Sequence, residues 1–242
     1  MSYVFDAPRV PSLTVAGTEA RFPVHRIYCI GRNYAEHAKE MGAVPDRAQP
    51  VFFMKPNDAI VADGGDVAYP PATSDLHHEV EMVVALASGG RDIPVDRALE
   101  HVFGYGVGLD LTRRDLQATA KAKSLPWDSS KAFDQSAPVS ALRRAAEIRH
   151  PRAARLTLSV NGALRQRADI ADMLFTVPEI IHELSRLWTL TPGDLIFTGT
   201  PAGVGATRQP PRFLRPGDRL VSEIEGIGAM TTTVVGPEKG DA

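Results

Sequence analysis

Cysteine is almost missing from this sequence: Cys29 stands alone among 242 residues. A single thiol makes no internal disulfide and no cysteine metal cluster, so an apolar core must hold the fold. No charge is in marked excess either, with 27 Lys and Arg against 29 Asp and Glu and a formal net charge of -2. Without a basic block, nucleic acid is not an expected partner. Long apolar runs are missing as well, and the longest fall well short of a membrane span. The start, Met1 to Pro8, has neither the basic segment nor the apolar core of a secretion signal. A cytoplasmic protein with no membrane partner is the expectation. Repeats and low-complexity segments are absent too. What remains is ordinary for a globular chain, 43% hydrophobic and 23% charged, long enough for one large domain with a small extension.

The most informative stretch is Asp75–Leu86, an apolar run with Glu79 and Glu81 at its start. Its β-branched composition favours a strand. Side chains then alternate, so Glu79, Glu81, Val83 and Ala85 share one face while Val80, Met82, Val84 and Leu86 share the other. A Glu-x-Glu pair at a strand start is by itself a common solvated pattern. Two neighbouring carboxylates repel, however, unless a proton, a base or a cation lies between them. Phe103–Asp110 reads as a second strand whose glycines allow close backbone approach, ending on another acid. Asp110 also suits a cap for the helix expected after Thr112. Three acids at neighbouring strand ends would make an oxygen site for a hard divalent ion such as Mg²⁺ or Mn²⁺.

Elsewhere, the first 26 residues read as an irregular or edge-strand lead-in. Ile27–Ile30 is a short strand, and a brief helix spans Ala35–Met41. On it His37 and Glu40 are three apart and share a face, a plausible base and its orienting acid, although the alternating charges also suit a solvated face. Pro50–Lys55 reads as a strand, and Pro94–Phe103 as a helix with proline near its start. Ser124–Pro138 reads as a long polar loop carrying Lys131, which could hold a carboxylate or enolate. Residues 139–153 read as a surface connection. Leu156–Val160 followed by Asn161-Gly162 signals a hairpin. Val177–Leu187 reads as an amphipathic helix on which His182 is structural. Thr191–Asp194 and Arg215–Asp218 are matching turns, each entering a strand. Between them, Thr198–Gly205 lacks the dinucleotide and phosphate-loop patterns; it reads as a strand-end loop presenting N–H groups and Thr200 to an anion.

Taken in order, Gly31–His37, Phe53–Pro56, His78–Glu81, Leu109–Gln117, Lys131–Asp134 and Thr198–Gly205 resemble the fumarylacetoacetate hydrolase family. Tyr69–Glu79 and Phe133–Pro138 look most like its fumarylpyruvate hydrolases. The resemblance implies an α+β fold, a mixed β-sandwich roll with peripheral helices, usually homodimeric. It implies a lead-in over residues 1–24 and a catalytic domain over 25–242. It further implies Glu79, Glu81 and Asp110 as ligands to Mg²⁺ or Mn²⁺, and His37 with Glu40 as a water-activating dyad on a lid. Lys131 would stabilise developing charge, and Arg114, Gln117, Thr200 and Lys55 would hold a small keto-acid substrate. The expected reaction is hydrolysis of a carbon–carbon bond in an acylpyruvate, most readily fumarylpyruvate to fumarate and pyruvate in aromatic catabolism. Oxaloacetate decarboxylation and isomerisation or decarboxylation of a hydroxymuconate-type acid are the alternatives, because they need the same chelate. A catalytically dead relative that only binds small acids would lack part of this set.

Overall fold

A computed structural model describes residues 3–205, 208 and 210–237. Two sheets dominate it. The larger has eight strands, in the order Val51–Lys55, Ile27–Gly31, Leu195–Phe197, Val80–Leu86, Val102–Leu109, Ala137–Val139 and Ile60–Ala62, with Arg143–Arg144 also pairing to Val102–Leu109. The smaller has five, in the order Ala163–Asp169, Arg155–Val160, Arg219–Ile224, Gly228–Val235 and Val67–Ala68. Both are mixed: Leu195–Phe197 runs parallel to Ile27–Gly31, and Gly228–Val235 parallel to Val67–Ala68. Helices are few and short, the longest being Val177–Leu187. The architecture is α+β, as expected.

The alternation along Val80–Leu86 decides how the core divides. Val80, Met82, Val84 and Leu86 enter one apolar cluster with Leu156, Leu158 and Ile180. Val83 and Ala85 enter another with Ile27, Cys29 and Phe197. Both faces of this strand are therefore covered, and all seven of its residues are buried. Gly108, on the paired strand, shows why glycine is needed there. A Cβ would lie 2.5 Å from Val83 Cγ2 and 2.7 Å from the Phe197 ring.

Several elements differ from expectation. The lead-in contains a hairpin, Ser12–Thr14 with Arg21–Pro23, whose Leu13 and Phe22 are buried in the second cluster. The helix expected over Pro94–Phe103 is a shorter 3-10 segment, Val95–His101, and the chain turns directly into strand at Val102. The loop expected at Ser124–Pro138 holds a turn of helix, Asp128–Lys131, and the strand Ala137–Val139 begins within it. The connection over 139–153 is likewise not all surface, since Leu142 is fully buried. The Asn161-Gly162 hairpin forms with both residues at positive φ, as its turn type requires. His182 Nδ1 donates to the Ile93 carbonyl at 2.8 Å, tying the helix Val177–Leu187 to the chain just before the 3-10 segment.

Candidate metal centre and active site

Register assembles the site. Val80 pairs with Leu109, so the start of one central strand meets the end of the next. Glu79 and Asp110 flank that pair, and the Asp110 N–H donates to the Glu79 carbonyl at 2.8 Å. Glu81 lies two residues on, facing the same way as Glu79. One carboxylate oxygen from each acid can be chosen so that all three lie within 4.8 Å of one another. All three residues are buried.

Three cations surround these acids. Lys131 Nζ donates to Glu79 Oε2 at 2.7 Å, to Asp110 Oδ2 at 2.5 Å and to Thr112 Oγ1 at 2.7 Å. Arg114 donates from Nη2 to Glu79 Oε1, from Nη1 to Gln117 Oε1 and from Nε to His77 Nδ1. Lys55 Nζ lies 2.8 Å from Asp110 Oδ1 and donates to the carbonyls of Leu111 and Lys131. The contact with Asp110 Oδ1 is off the hydrogen-bond direction, and that buried oxygen has no donor.

The titration of these groups follows from the crowding. Burial pushes the Glu79 carboxyl up, but Lys131 and Arg114 outweigh it and hold the group well below the usual range. Burial also raises Glu81, and Asp110 and Glu79 push it further, so it lies well above the usual range. Burial alone would lower Lys131; Asp110 and Glu79 raise it instead. Burial and the neighbouring Arg114 lower His77 to about 2, so it stays neutral and accepts from the guanidinium. A divalent cation fits this donor set on two grounds. It would offset the carboxylate crowding that raises Glu81, and it would add a partner to Asp110 Oδ1, which has the Lys55 ammonium nearby but no hydrogen-bond donor. Hard oxygen donors suit Mg²⁺ or Mn²⁺.

A cavity of about 140 Å³ opens over the acids, lined also by His37, Lys131, Arg114, Gln117 and Thr200. His37 sits on the short helix Ala35–Glu40, and its Nδ1 is 3.2 Å from Glu40 Oε2. Glu40 accepts in turn from the Gly203 N–H at 3.1 Å, so the glycine-rich loop fixes the acid that orients the imidazole. The same loop donates from Gly199 N to Glu81 Oε2 at 2.7 Å. Its N–H groups thus reach the site's own carboxylates. The Thr200 hydroxyl donates to the Val80 carbonyl at 2.9 Å and accepts from Gln166 Nε2 at 2.8 Å. Its proton is engaged, which leaves it an acceptor towards the cavity. Lys55 is placed differently from the substrate contact expected of it. It is buried behind Asp110 and does not line the cavity.

Supporting residues escaped the sequence reading. Asn33 donates to the carbonyls of Phe175 and Thr198 and accepts from the Phe175 N–H, pinning the entry to the His37 helix. It lies inside the Gly31–His37 motif, which was its only signal. Gln166 receives His78 Nδ1–H and the Val80 N–H while holding Thr200. It sits in the polar run Arg165–Arg167, where nothing local separates a buried Gln from a solvated one. Arg32, Lys121 and Trp127 also line the cavity.

With this geometry in view, known proteins give it a context. Residues 26–235 match the fumarylacetoacetate hydrolase C-terminal family. The crystal structure of a Pseudomonas aeruginosa fumarylpyruvate hydrolase in complex with Mn²⁺ and pyruvate is 46% identical, with a TM-score of 0.92 covering 97% of this chain and 100% of that one. A Burkholderia cenocepacia structure is 52% identical, with a TM-score of 0.89 covering 98% of this chain and 100% of that one. The mitochondrial oxaloacetate tautomerase of Rattus norvegicus is 43% identical over 204 residues, which are 84% of this chain and 89% of that protein. No helix among the described residues is long and apolar enough to cross a membrane. Matched over most of its length in sequence and in shape, the chain belongs to the fumarylacetoacetate hydrolase family.

Proposed function

We propose that this enzyme hydrolyses a carbon–carbon bond in acylpyruvates, with fumarylpyruvate cleaved to fumarate and pyruvate. The observation that carries the reading is a buried three-carboxylate cluster sharing one small cavity with Lys131 and with His37, whose ring Glu40 contacts. The similar Mn²⁺ and pyruvate complex supports it. Glu79, Glu81 and Asp110 would hold Mg²⁺ or Mn²⁺. When bound, the ion supplies a Lewis acid and a template for the carboxylate and adjacent keto oxygen of the pyruvoyl end.

The chain's own groups then have distinct tasks. His37, oriented by Glu40, takes a proton from water, and the resulting hydroxide adds to the carbonyl of the acyl group. The bond between that carbon and the pyruvoyl methylene breaks, its electrons passing to the enolate of pyruvate. The buried Lys131 ammonium faces that developing charge, where a fixed cation acts strongly. Arg114, Gln117 and Thr200 orient the substrate. A proton then returns to the methylene carbon to give pyruvate. His37→Ala is expected to lower turnover by about 10²–10⁴-fold while metal affinity is retained. Near-full activity in that variant would remove His37 from the role.

The tautomerase relatives favour a second reading, proton relocation on oxaloacetate. There His37 would move a proton between carbon and oxygen, with no water attacked. The proposal includes a homodimer and a cytoplasmic location, which sedimentation and cell fractionation test.

A further inference from the structure

The cavity is electrically asymmetric, and its outer end has no role in the scheme so far. At the inner end Lys131, Arg114 and Lys55 are already paired with Glu79 and Asp110, while Glu81 accepts from the Gly199 N–H. At the outer end stand two more cations, Arg32 and Lys121. Both residues line the cavity and keep part of their surface in solvent, while the Lys121 ammonium end is partly covered. Neither has a carboxylate within ion-pair distance among the described residues. Lys121 Nζ instead lies 5.1 Å from the centre of the Trp127 ring, which also lines the cavity. Arg32 is held at φ 60, a conformation that is uncommon for a side chain other than Gly, Asn or Asp.

The helix Arg114–Ala122 acts as a ruler between the two ends. Arg114, Gln117 and Lys121 are spaced three and four apart, so they form one stripe along the cavity. Arg114 touches Glu79 at the inner end. Lys121 lies seven residues further, about 10 Å along the axis at 1.5 Å per residue, and helical side chains lean back towards the N-terminus. The end carboxylates of an extended fumarylpyruvate are roughly 8 Å apart, from the spacing of a trans carbon chain. The adjoining hollow beyond Trp127 is the other space a tail could enter. Its charged lining is Asp128 and the already engaged Lys131, which disfavours an anionic end there.

We infer that Lys121 and Arg32, with Trp127 as a platform, receive the far carboxylate of a dicarboxylic acyl tail and so select acylpyruvates that carry one. The inference rests on the acylpyruvate hydrolase reading. The titration of Lys121 agrees with this geometry: burial, then Arg114, Arg32 and Lys131, lower it, with Glu79 opposing them.

The test compares fumarylpyruvate with acetylpyruvate, which shares the pyruvoyl end and lacks the far carboxylate. Initial rates are measured with Mn²⁺ for the wild type, Lys121→Met and Arg32→Asn, the latter because Asn tolerates positive φ. The ratio of kcat/KM for fumarylpyruvate over acetylpyruvate is expected to fall at least tenfold in each variant, mainly through KM. Inhibition by the product fumarate is expected to weaken in parallel. A ratio that stays within twofold in both folded variants overturns the inference and leaves the hydrolase reading standing. A wild type that cleaves neither compound overturns the hydrolase reading, and the inference with it.

Discussion

Lys131→Met isolates the electrostatics of the centre. The Lys131 side chain is 3% exposed, Glu79 6% and Asp110 1%, so this pairing lies out of water. Methionine keeps most of the stem and removes the charge, leaving Glu79 Oε2, Asp110 Oδ2 and Thr112 Oγ1 without their shared donor. Breaking a buried ion pair from one side costs about 3–5 kcal/mol. For a chain of this size each kcal/mol moves the melting temperature by about 2–4 °C, so the metal-free variant should melt about 6–20 °C lower. Calorimetry in EDTA reads this directly. Mn²⁺ should then stabilise the variant more than the wild type, because the ion no longer competes with an ammonium for the same oxygens. At about 100 times its Kd, a ligand that binds only the folded state adds about 2.7 kcal/mol. Turnover should be lost even in the metal-loaded variant. A metal-free melting temperature within about 2 °C of wild type would refute the claim that Lys131 neutralises the buried acids.

Other outcomes follow from the same structure. Gly108→Ala puts a methyl group 2.5 Å from Val83 Cγ2 and 2.7 Å from Phe197, so urea unfolding should show a loss of about 1–3 kcal/mol. A midpoint equal to wild type would mean that the two central strands are not packed this closely. Burial and the neighbouring Arg114, Arg32 and Lys131 lower Lys121 to about 8, partly offset by Glu79. Its positive charge is therefore complete well below pH 8 and lost above it. KM for fumarylpyruvate should rise as pH passes through that range, and Lys121→Met should lack this limb. A rise that persists in the variant assigns it to another group.

Much of the centre was legible in the sequence because strand periodicity is strict. Once Asp75–Leu86 is a strand, Glu79 and Glu81 must share a side and the apolar residues must divide between two clusters, as they do. Likewise Asn161-Gly162 announced its hairpin through backbone chemistry that few other residue pairs satisfy. Lys55 was misread for the opposite reason. A lysine ending an apolar strand reads as exposed or as a ligand contact, and only its three-dimensional position behind Asp110 shows its ammonium buried. Asn33 and Gln166 act across 142 and 34 residues respectively, on Phe175 and Thr200, so no local pattern marks them. The helix over Pro94–Phe103 was legible as such, but its 3-10 form over Val95–His101 was not, because its composition suits either type. His182 and Ser185 of Val177–Leu187 hold its entry at Ile93.

The central claim is that the buried acids and the His37–Glu40 pair together make a metal-dependent hydrolase. The most direct measurement is release of fumarate and pyruvate from fumarylpyruvate, with and without Mn²⁺, beside an oxaloacetate control. Rapid release of both products that needs the metal, with far slower conversion of oxaloacetate, is expected. Efficient turnover of oxaloacetate with no cleavage of fumarylpyruvate would contradict the claim, and His37 would then be a proton carrier on carbon.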